Sequence, residues 1–167
     1  MRTCGADTLS GRKIKKIAAF KNICAGLRRA GKKIVFTNGC FDILHYGHVM
    51  YLEKAKAKGD CLIVALNSDA SVKKIKGKNR PINSEADRAK VIAGLESVDY
   101  VMIFNESTPL ATIKTLKPDV LVKGSDWKDK EIVGADFVKG RGGRIVRIPL
   151  ANGRSTSGLI NKIAKIR

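Results

Sequence analysis

Five short, β-rich apolar runs alternate with longer stretches of helical character, and this alternation limits the available folds more than any other feature of the chain. The runs lie at 34–38, 61–66, 100–104, 119–122 and 145–148. The second, Cys-Leu-Ile-Val-Ala-Leu, is apolar on both faces, as expected of a strand covered on both sides. Between the runs, residues 12–30 place Ile17, Phe20, Cys24 and Leu27 at spacings of three and four, which predicts an amphipathic helix stopped by Gly31. Further helices are predicted from 47 to 58, closed by Gly59, and from the capping-box-like Ser84-Glu85-Ala86-Asp87 to about 95. Another starts with Thr108 as N-cap and Pro109 in the first helical position, and a last one is capped by Ser155 or Thr156. Residues 68–83 are polar and basic, contain Gly77 and Pro81, and read as a loop. Strand and helix in alternation predict an α/β fold, a doubly wound five-stranded parallel sheet with helices on both faces. One domain is expected over 1–167, with a basic amphipathic helix in 1–31 and a catalytic core in 32–167. Ligands in such sheets bind beyond the carboxyl ends of strands, where the strand order reverses. The turns after Asn38, Asn67 and Val122 and the entrance to the last helix are therefore the places to look.

Composition narrows the class of function. No stretch reaches the eighteen or so apolar residues of a membrane span. The early segment Ile14 to Leu27 is interrupted by Lys15, Lys16 and Lys21, a poor signal peptide. A cytoplasmic protein with no membrane partner is expected. Cys4, Cys24, Cys40 and Cys61 lie far apart with no C-x-x-C pair and no neighbouring histidine, so no protein metal site is expected. Cys24, Cys40 and Cys61 read as small buried hydrophobes. The formal charge is +18, and residues 1–33 hold ten Lys or Arg against one acid, Asp7. Such a field attracts polyanions, whether nucleic acid, acidic lipid or nucleoside triphosphate, although a merely Lys-rich solvated face carries the same charge. A nucleic-acid module would array aromatic residues on its sheet. With 5% aromatic residues and no RNA-binding signature, no nucleic-acid partner is expected.

The chain has two histidines, and both fall in His45-Tyr46-Gly47-His48, directly after the first strand. Two histidines spaced i, i+3 around a glycine, at a strand-to-helix turn, are hard to assign to packing. Gly47 lets the backbone approach a ligand closely. The following helix offers free N–H groups and the positive end of its dipole, a ready phosphate site.

The stretch 37–48, Thr-Asn-Gly-Cys-Phe-Asp-Ile-Leu-His-Tyr-Gly-His, resembles the signature of the cytidylyltransferase-like nucleotidyltransferases, a Rossmann-like superfamily. The similarity continues through Val64 to Asp69, Lys76-Gly77-Lys78-Asn79-Arg80-Pro81, Leu121 to Asp126 and Gly153-Arg154-Ser155-Thr156-Ser157. Together these resemble the adenylyltransferase module of the ADP-heptose synthase family over roughly 12–166. That likeness implies transfer of AMP from ATP, carried with Mg²⁺, to a sugar 1-phosphate such as heptose 1-phosphate, by a stand-alone module acting as a homodimer. It implies that His45 and His48 hold phosphate, that Lys76 closes from a flexible basic loop, and that Arg88 binds phosphate. It also implies that Asn38, Gly39, Phe41, Asp42, Gly47, Lys123, Gly124, Asp126, Ser155 and Thr156 hold the nucleotide, with Asp42 an outer partner of Mg²⁺. Asn67, Asp69 and Cys40 would position the sugar phosphate, although an Asx turn explains Asn67 and Asp69 equally. Helix capping also explains Ser155 and Thr156. Glycerol-3-phosphate cytidylyltransferase and FAD synthetase activities are the nearest alternatives, since base choice rests on backbone contacts.

Overall fold

In a computed structural model, residues 9–149, 151 and 153–166 are described. Cys4 and the rest of the first eight residues, part of the expected N-terminal segment, lie outside them. The elements run α1 (Leu9–Lys13), α2 (Ile17–Arg29), β1 (Ile34–Gly39), α3 (Tyr46–Lys56), β2 (Cys61–Asn67), α4 (Asp69–Lys76) and α5 (Glu85–Ala93). They continue as β3 (Tyr100–Phe104), α6 (Leu110–Leu116), β4 (Val120–Gly124), α7 (Ala135–Lys139), β5 (Arg144–Ile148) and α8 (Thr156–Ala164). Five strands pair in the order β3-β2-β1-β4-β5, every pair parallel. Chain order reverses at the β1/β4 boundary, which makes it the switch point of a doubly wound sheet.

The alternation of side chains along each strand splits the core in two. Val35, Leu62, Val64, Leu66, Val101, Val120 and Val122 pack with Tyr51, Leu52 and Ala55 of α3 and Ala89, Ile92 and Ala93 of α5. On the other face Ile34, Phe36, Ile63, Ala65, Met102 and Leu121 pack with Phe20 and Cys24 of α2, Ile113 and Leu116 of α6, and Val138 of α7. Helices thus cover both faces, as the apolar runs require. No helix among the described residues is long and apolar enough to cross a membrane.

The structure departs from the sequence reading in several places. The helix expected over 12–30 is broken: Ile14 forms a parallel bridge to Val101, and Lys15 N–H donates to the Val101 carbonyl at 2.9 Å. The open edge of β3 captures those residues, and α2 begins only at Ile17. Residues 69–76 form helix α4 instead of loop. Ser68 caps it by accepting from Ser71 N–H, and Ser71 and Val72 are its buried residues. Helix α6 starts at Leu110 with Pro109, not Thr108, at the cap. A 3₁₀ turn at Asp129–Glu131 and the short α7 lie between β4 and β5, where the sequence reading named no element. Cys24 and Cys61 are buried free thiols, while Cys40 is half-exposed.

At the switch point β1 and β4 stay in register for only two pairs, Val35↔Val120 and Phe36↔Leu121. Beyond them side chains replace the ladder. The buried Thr37 hydroxyl donates to the Val122 carbonyl at 3.1 Å, which leaves Tyr51 O–H to donate to Thr37 Oγ1 at 2.7 Å. Thr37→Val keeps the shape but leaves both groups unpaired in the core. It is expected to lower unfolding free energy by about 1–3 kcal/mol, read as a shift in the urea midpoint at unchanged slope.

Candidate nucleotide-binding site

The site grows from the turn between β1 and α3. Gly39 ends the strand, and a Cβ there would lie 2.9 Å from Phe41 Cε2, so only glycine lets that ring fold back. Phe41 itself sits at φ 44, a left-handed backbone uncommon for a bulky residue. Its buried ring meets the edge of His48 at 5.2 Å between centroids and 62° between planes. His45 occupies the N-cap of α3 with an extended backbone and no side-chain capping bond. Its ring stacks on His48 at 3.7 Å and 18°. A Cβ on Gly47 would stand 3.1 Å from His45 Cε1 and Nδ1 and 3.2 Å from Arg154 Cβ, so glycine permits this close assembly.

Both imidazoles are held neutral. Burial, with His45 adding to it, pushes the His48 pKa down to about 4, and burial with the nearby Arg154 cation lowers His45. Among the described residues, Nδ1 of each ring is buried without a hydrogen-bond partner. Buried polar atoms are nearly always paired, so two orphans side by side mark a place where a ligand's polar atoms belong.

The neighbouring loops are fixed by two buried charged residues whose roles differ from those expected. Asp42 was expected as an outer partner of Mg²⁺. Its carboxylate instead accepts from Arg80 Nε at 2.7 Å, from Ile82 N–H at 2.9 Å and from Asn83 N–H at 2.9 Å. Burial alone would raise this carboxyl, but those three donors outweigh it and hold it below the usual carboxylate range. Asp42 therefore pins residues 80–83 to the histidine turn. Arg88 was expected to bind phosphate. It is 1% exposed, and its guanidinium donates to the carbonyls of Asn83, Cys40 and Asn67 and to the Asp69 carboxylate, at 3.1, 2.6, 2.8 and 2.8 Å. The geometry makes it a clamp joining the ends of β1 and β2 to the loop before α5.

The other candidates are arranged around this frame. Lys123 is buried, its Nζ bonded to Asn38 Oδ1 across the β1/β4 opening and 5.3 Å from the Trp127 ring centroid. Burial, partly offset by Asp126, pushes its pKa down to about 8. Gly124 ends β4, and Asp126 is exposed just beyond. Asn67 is buried and donates to Ser71 Oγ at 3.0 Å. Ser155 caps α8 by accepting from Gly158 N–H at 3.0 Å, and Thr156 Oγ1 donates to the Ile43 carbonyl at 3.4 Å, tying α8 to the histidine turn. Cys40 offers its carbonyl to Arg88, and burial raises its thiol. Lys76 ends α4, exposed, close enough to Cys40 for its charge to act on that thiol. Asn38, Gly39, Phe41, Gly47, Lys123 and the two histidines thus lie at the carboxyl ends of β1 and β4 and on the turn that follows β1. Thr37, Arg80 and Arg154 touch the same group of residues, through Tyr51 and Val122, Asp42, and Gly47 in turn. Arg80 and Arg154 lay inside the quoted motifs without being singled out, and only tertiary contact distinguishes them.

Fold and site together define an α/β domain of the Rossmann-like type, opened at its switch point and carrying a His-x-Gly-His turn at the mouth. The profile of the cytidylyltransferase-like family matches residues 36–139, and the chain belongs to that family. It is 58% identical over 145 residues to the bifunctional protein HldE of Wolinella succinogenes, which covers 87% of this chain and 30% of that protein. To the bifunctional protein HldE of Geobacter metallireducens it is 52% identical over 156 residues, 93% of this chain and 32% of that one. The chain thus spans about a third of the length of these relatives. The crystal structure of the lipopolysaccharide core biosynthesis protein from Thermoplasma volcanium superposes with a TM-score of 0.63 at 35% identity, over 73% of this chain and all of that one. A pantoate-β-alanine ligase from Francisella tularensis, solved with β,γ-ATP and β-alanine, shares the fold at a TM-score of 0.59 and 20% identity, over 86% of this chain and 68% of that one.

The buried His48 sets a pH dependence. Its folded pKa of about 4 lies below the ordinary 6.5, so the unfolded chain takes up a proton that the native one refuses. Its contribution to stability is present above pH 6.5 and is lost as pH falls toward 4. In an NMR titration the His48 ring signals are expected to stay those of the neutral form until near pH 4; half-protonation near 6.5 would contradict the burial argument.

Proposed function

We propose that the chain transfers AMP from ATP to a sugar 1-phosphate, heptose 1-phosphate in the first instance, releasing pyrophosphate. The observation that carries the reading is the stacked, neutral pair His45 and His48, with two unpartnered Nδ1 atoms beside the start of α3. The resemblance to heptose adenylyltransferases and the identity to the HldE proteins support the acceptor. Mg²⁺ enters as part of the substrate, carried on the triphosphate; among the described residues no group of three or more His, Cys, Asp or Glu could hold a metal.

The reaction needs no covalent intermediate. A phosphate oxygen of the sugar 1-phosphate, already ionised at neutral pH, attacks the α-phosphorus in line. The α-phosphorus–oxygen bond to the β-phosphate breaks, and its electrons leave with pyrophosphate. Catalysis is then positioning and stabilisation of charge on the α-phosphate and leaving group. Neutral imidazoles donate hydrogen bonds to phosphate oxygens, and the free N–H groups at the start of α3 add their dipole. Lys76 closes from the end of α4, while Asp42 and Arg88 act as positioning residues by holding the loops around the triphosphate. Lys123, Gly124 and Asp126 form the edge for base and ribose, and Asn67, Asp69 and Cys40 lie toward the acceptor. A cytoplasmic homodimer completes the reading and rests on family likeness.

His48→Ala is expected to cut turnover at least about a hundredfold, the scale of losing one preorganised donor to a developing oxyanion. The assay is pyrophosphate release from ATP with heptose 1-phosphate, run beside CTP, GTP and UTP and beside glycerol 3-phosphate and FMN. Equal rates for mutant and wild type would refute the histidine assignment; a preference for CTP with glycerol 3-phosphate would redirect the acceptor.

A further inference from the structure

The formal charge of +18 is not concentrated where the proposed substrates bind. The loops at the mouth, 40–45, 77–84, 105–109, 125–128 and 149–155, hold four Lys or Arg against three acids, and the first turns of α4 and α5 add Asp69, Glu85 and Asp87. At the opposite end of the sheet helices finish and strands begin. There the segments 28–33, 54–60, 95–99, 114–119 and 139–144 hold twelve Lys or Arg against four acids. A cation in the last helical turn offsets the helix dipole, which accounts for the basic last turns of α2, α3, α6 and α7. That effect fades beyond the last turn, and Lys32, Lys33, Lys58 and Arg141 lie past it.

These segments form one continuous surface. Arg28 donates from α2 to the Leu116 carbonyl and, at 3.0 Å, to the Lys117 carbonyl at the end of α6. Arg144, at the start of β5, donates its backbone N–H to the Asp119 carbonyl at 2.9 Å and its guanidinium to the Lys58 carbonyl at 3.0 Å. Asp60 N–H donates to the Lys33 carbonyl at 2.9 Å. Three of the four acids are turned inward: the carboxylates of Asp60, Asp99 and Asp119 accept from the N–H groups of Lys33, Leu62 and Ile34 at 2.8, 2.6 and 2.7 Å. They hold the strand starts in place and leave most of the outer cations uncompensated. Arg29, Lys114 and Lys139 are exposed and, among the described residues, have no hydrogen-bond acceptor and no ion pair. No large apolar side chain is exposed in these segments.

We infer that the amino-terminal end of the sheet, ringed by the C-terminal ends of α2, α3, α6 and α7, is a peripheral docking face for a bilayer bearing anionic phospholipid headgroups. The sequence reading expected no membrane partner because no segment can span one, and a peripheral contact needs no span. Cations spread over the tips of four helices meet a planar field of charge together. Each adds attraction within a Debye length, about 10 Å near 0.1 M salt. With no apolar side chain to insert, the contact is electrostatic and reversible. A nucleic acid fits the face less well. Its backbone phosphates are positioned by N–H groups and helix N-termini, whereas this end presents helix C-termini and their carbonyls. Docked in this way, the protein turns its mouth away from the lipid and keeps it open to dissolved substrates. The inference is independent of the acceptor and of the roles given to the histidines.

The test is co-sedimentation of the full chain with phosphatidylcholine vesicles and with vesicles carrying phosphatidylglycerol as about one third of the lipid, at low and high salt. Wild type is expected to bind the anionic vesicles at least about tenfold more tightly than the neutral ones and to leave them at high salt. Arg29→Glu/Lys114→Glu/Lys139→Glu is expected to lose at least about tenfold of that affinity, with circular dichroism and pyrophosphate release unchanged. Lys73→Glu/Lys162→Glu/Lys165→Glu alters the net charge by the same amount on α4 and at the end of α8, and is expected to keep most of the binding. Equal binding to both kinds of vesicle overturns the inference, as does undiminished binding by the first variant or an equal loss in both. A DNA duplex or an RNA that displaces the protein from anionic vesicles at equal phosphate concentration also overturns it. If the first variant fails to fold, Arg29→Gln/Lys114→Gln/Lys139→Gln decides by the same comparison, and undiminished vesicle binding by it is the contrary result.

Discussion

The ladder between β1 and β4 lasts for two residue pairs, Val35↔Val120 and Phe36↔Leu121, and the site depends on how soon it stops. Parallel strands held in register to their ends would leave no crevice. Here β1 runs on to Gly39 and β4 to Gly124, each still paired with its outer neighbour but no longer with the other. Side chains bridge the gap instead: the Thr37 hydroxyl donates to the Val122 carbonyl, Tyr51 O–H donates to Thr37, and Lys123 Nζ bonds Asn38 Oδ1. The first turn of the fold thus emerges where there is space for a ligand.

The residues above that opening form a hierarchy of supports. Phe41 adopts a left-handed backbone that only surrounding structure can maintain, and Gly39 leaves space for its ring. The ring supports His48, His48 stacks on His45, and Gly47 lets the stem of Arg154 pack on the group from the turn before α8. Buried Asp42 and Arg88 lie behind this layer. Each charge meets several donors or acceptors, so each joins segments distant in sequence. Such networks hold one arrangement firmly only when fully satisfied. Both are, whereas the histidine nitrogens in front of them are not, and this contrast separates framework from ligand site.

Much of the fold was legible because each strand carries its own apolar run and each major helix its own spacing. The breaks came where a distant partner decides. Ile14 looks helical until the edge of β3, far along the chain, takes it into a bridge. Helix α4 was hidden because Val72 is its one large buried apolar residue and lysines dominate the rest. At the site, the pair of histidines around Gly47 was readable, since spacing and turn position alone mark it. The roles of Asp42 and Arg88 were not readable, because a carboxylate near a phosphate motif and an arginine on a helix give no sign of burial. Arg154 lay in a recognisable motif, yet nothing local says that its stem would pack on Gly47.

The central claim is that the two imidazoles donate to a bound triphosphate through nitrogens now lacking partners. It is tested most directly by ¹⁵N spectra of the histidine rings as α,β-methylene-ATP is added. The chain has two histidines, so His48→Gln assigns both sets of signals. The account requires ring nitrogens of His45 and His48 to shift together and saturably, with both rings still neutral. Unmoved histidine signals at saturating analogue, with binding confirmed by calorimetry, would contradict it.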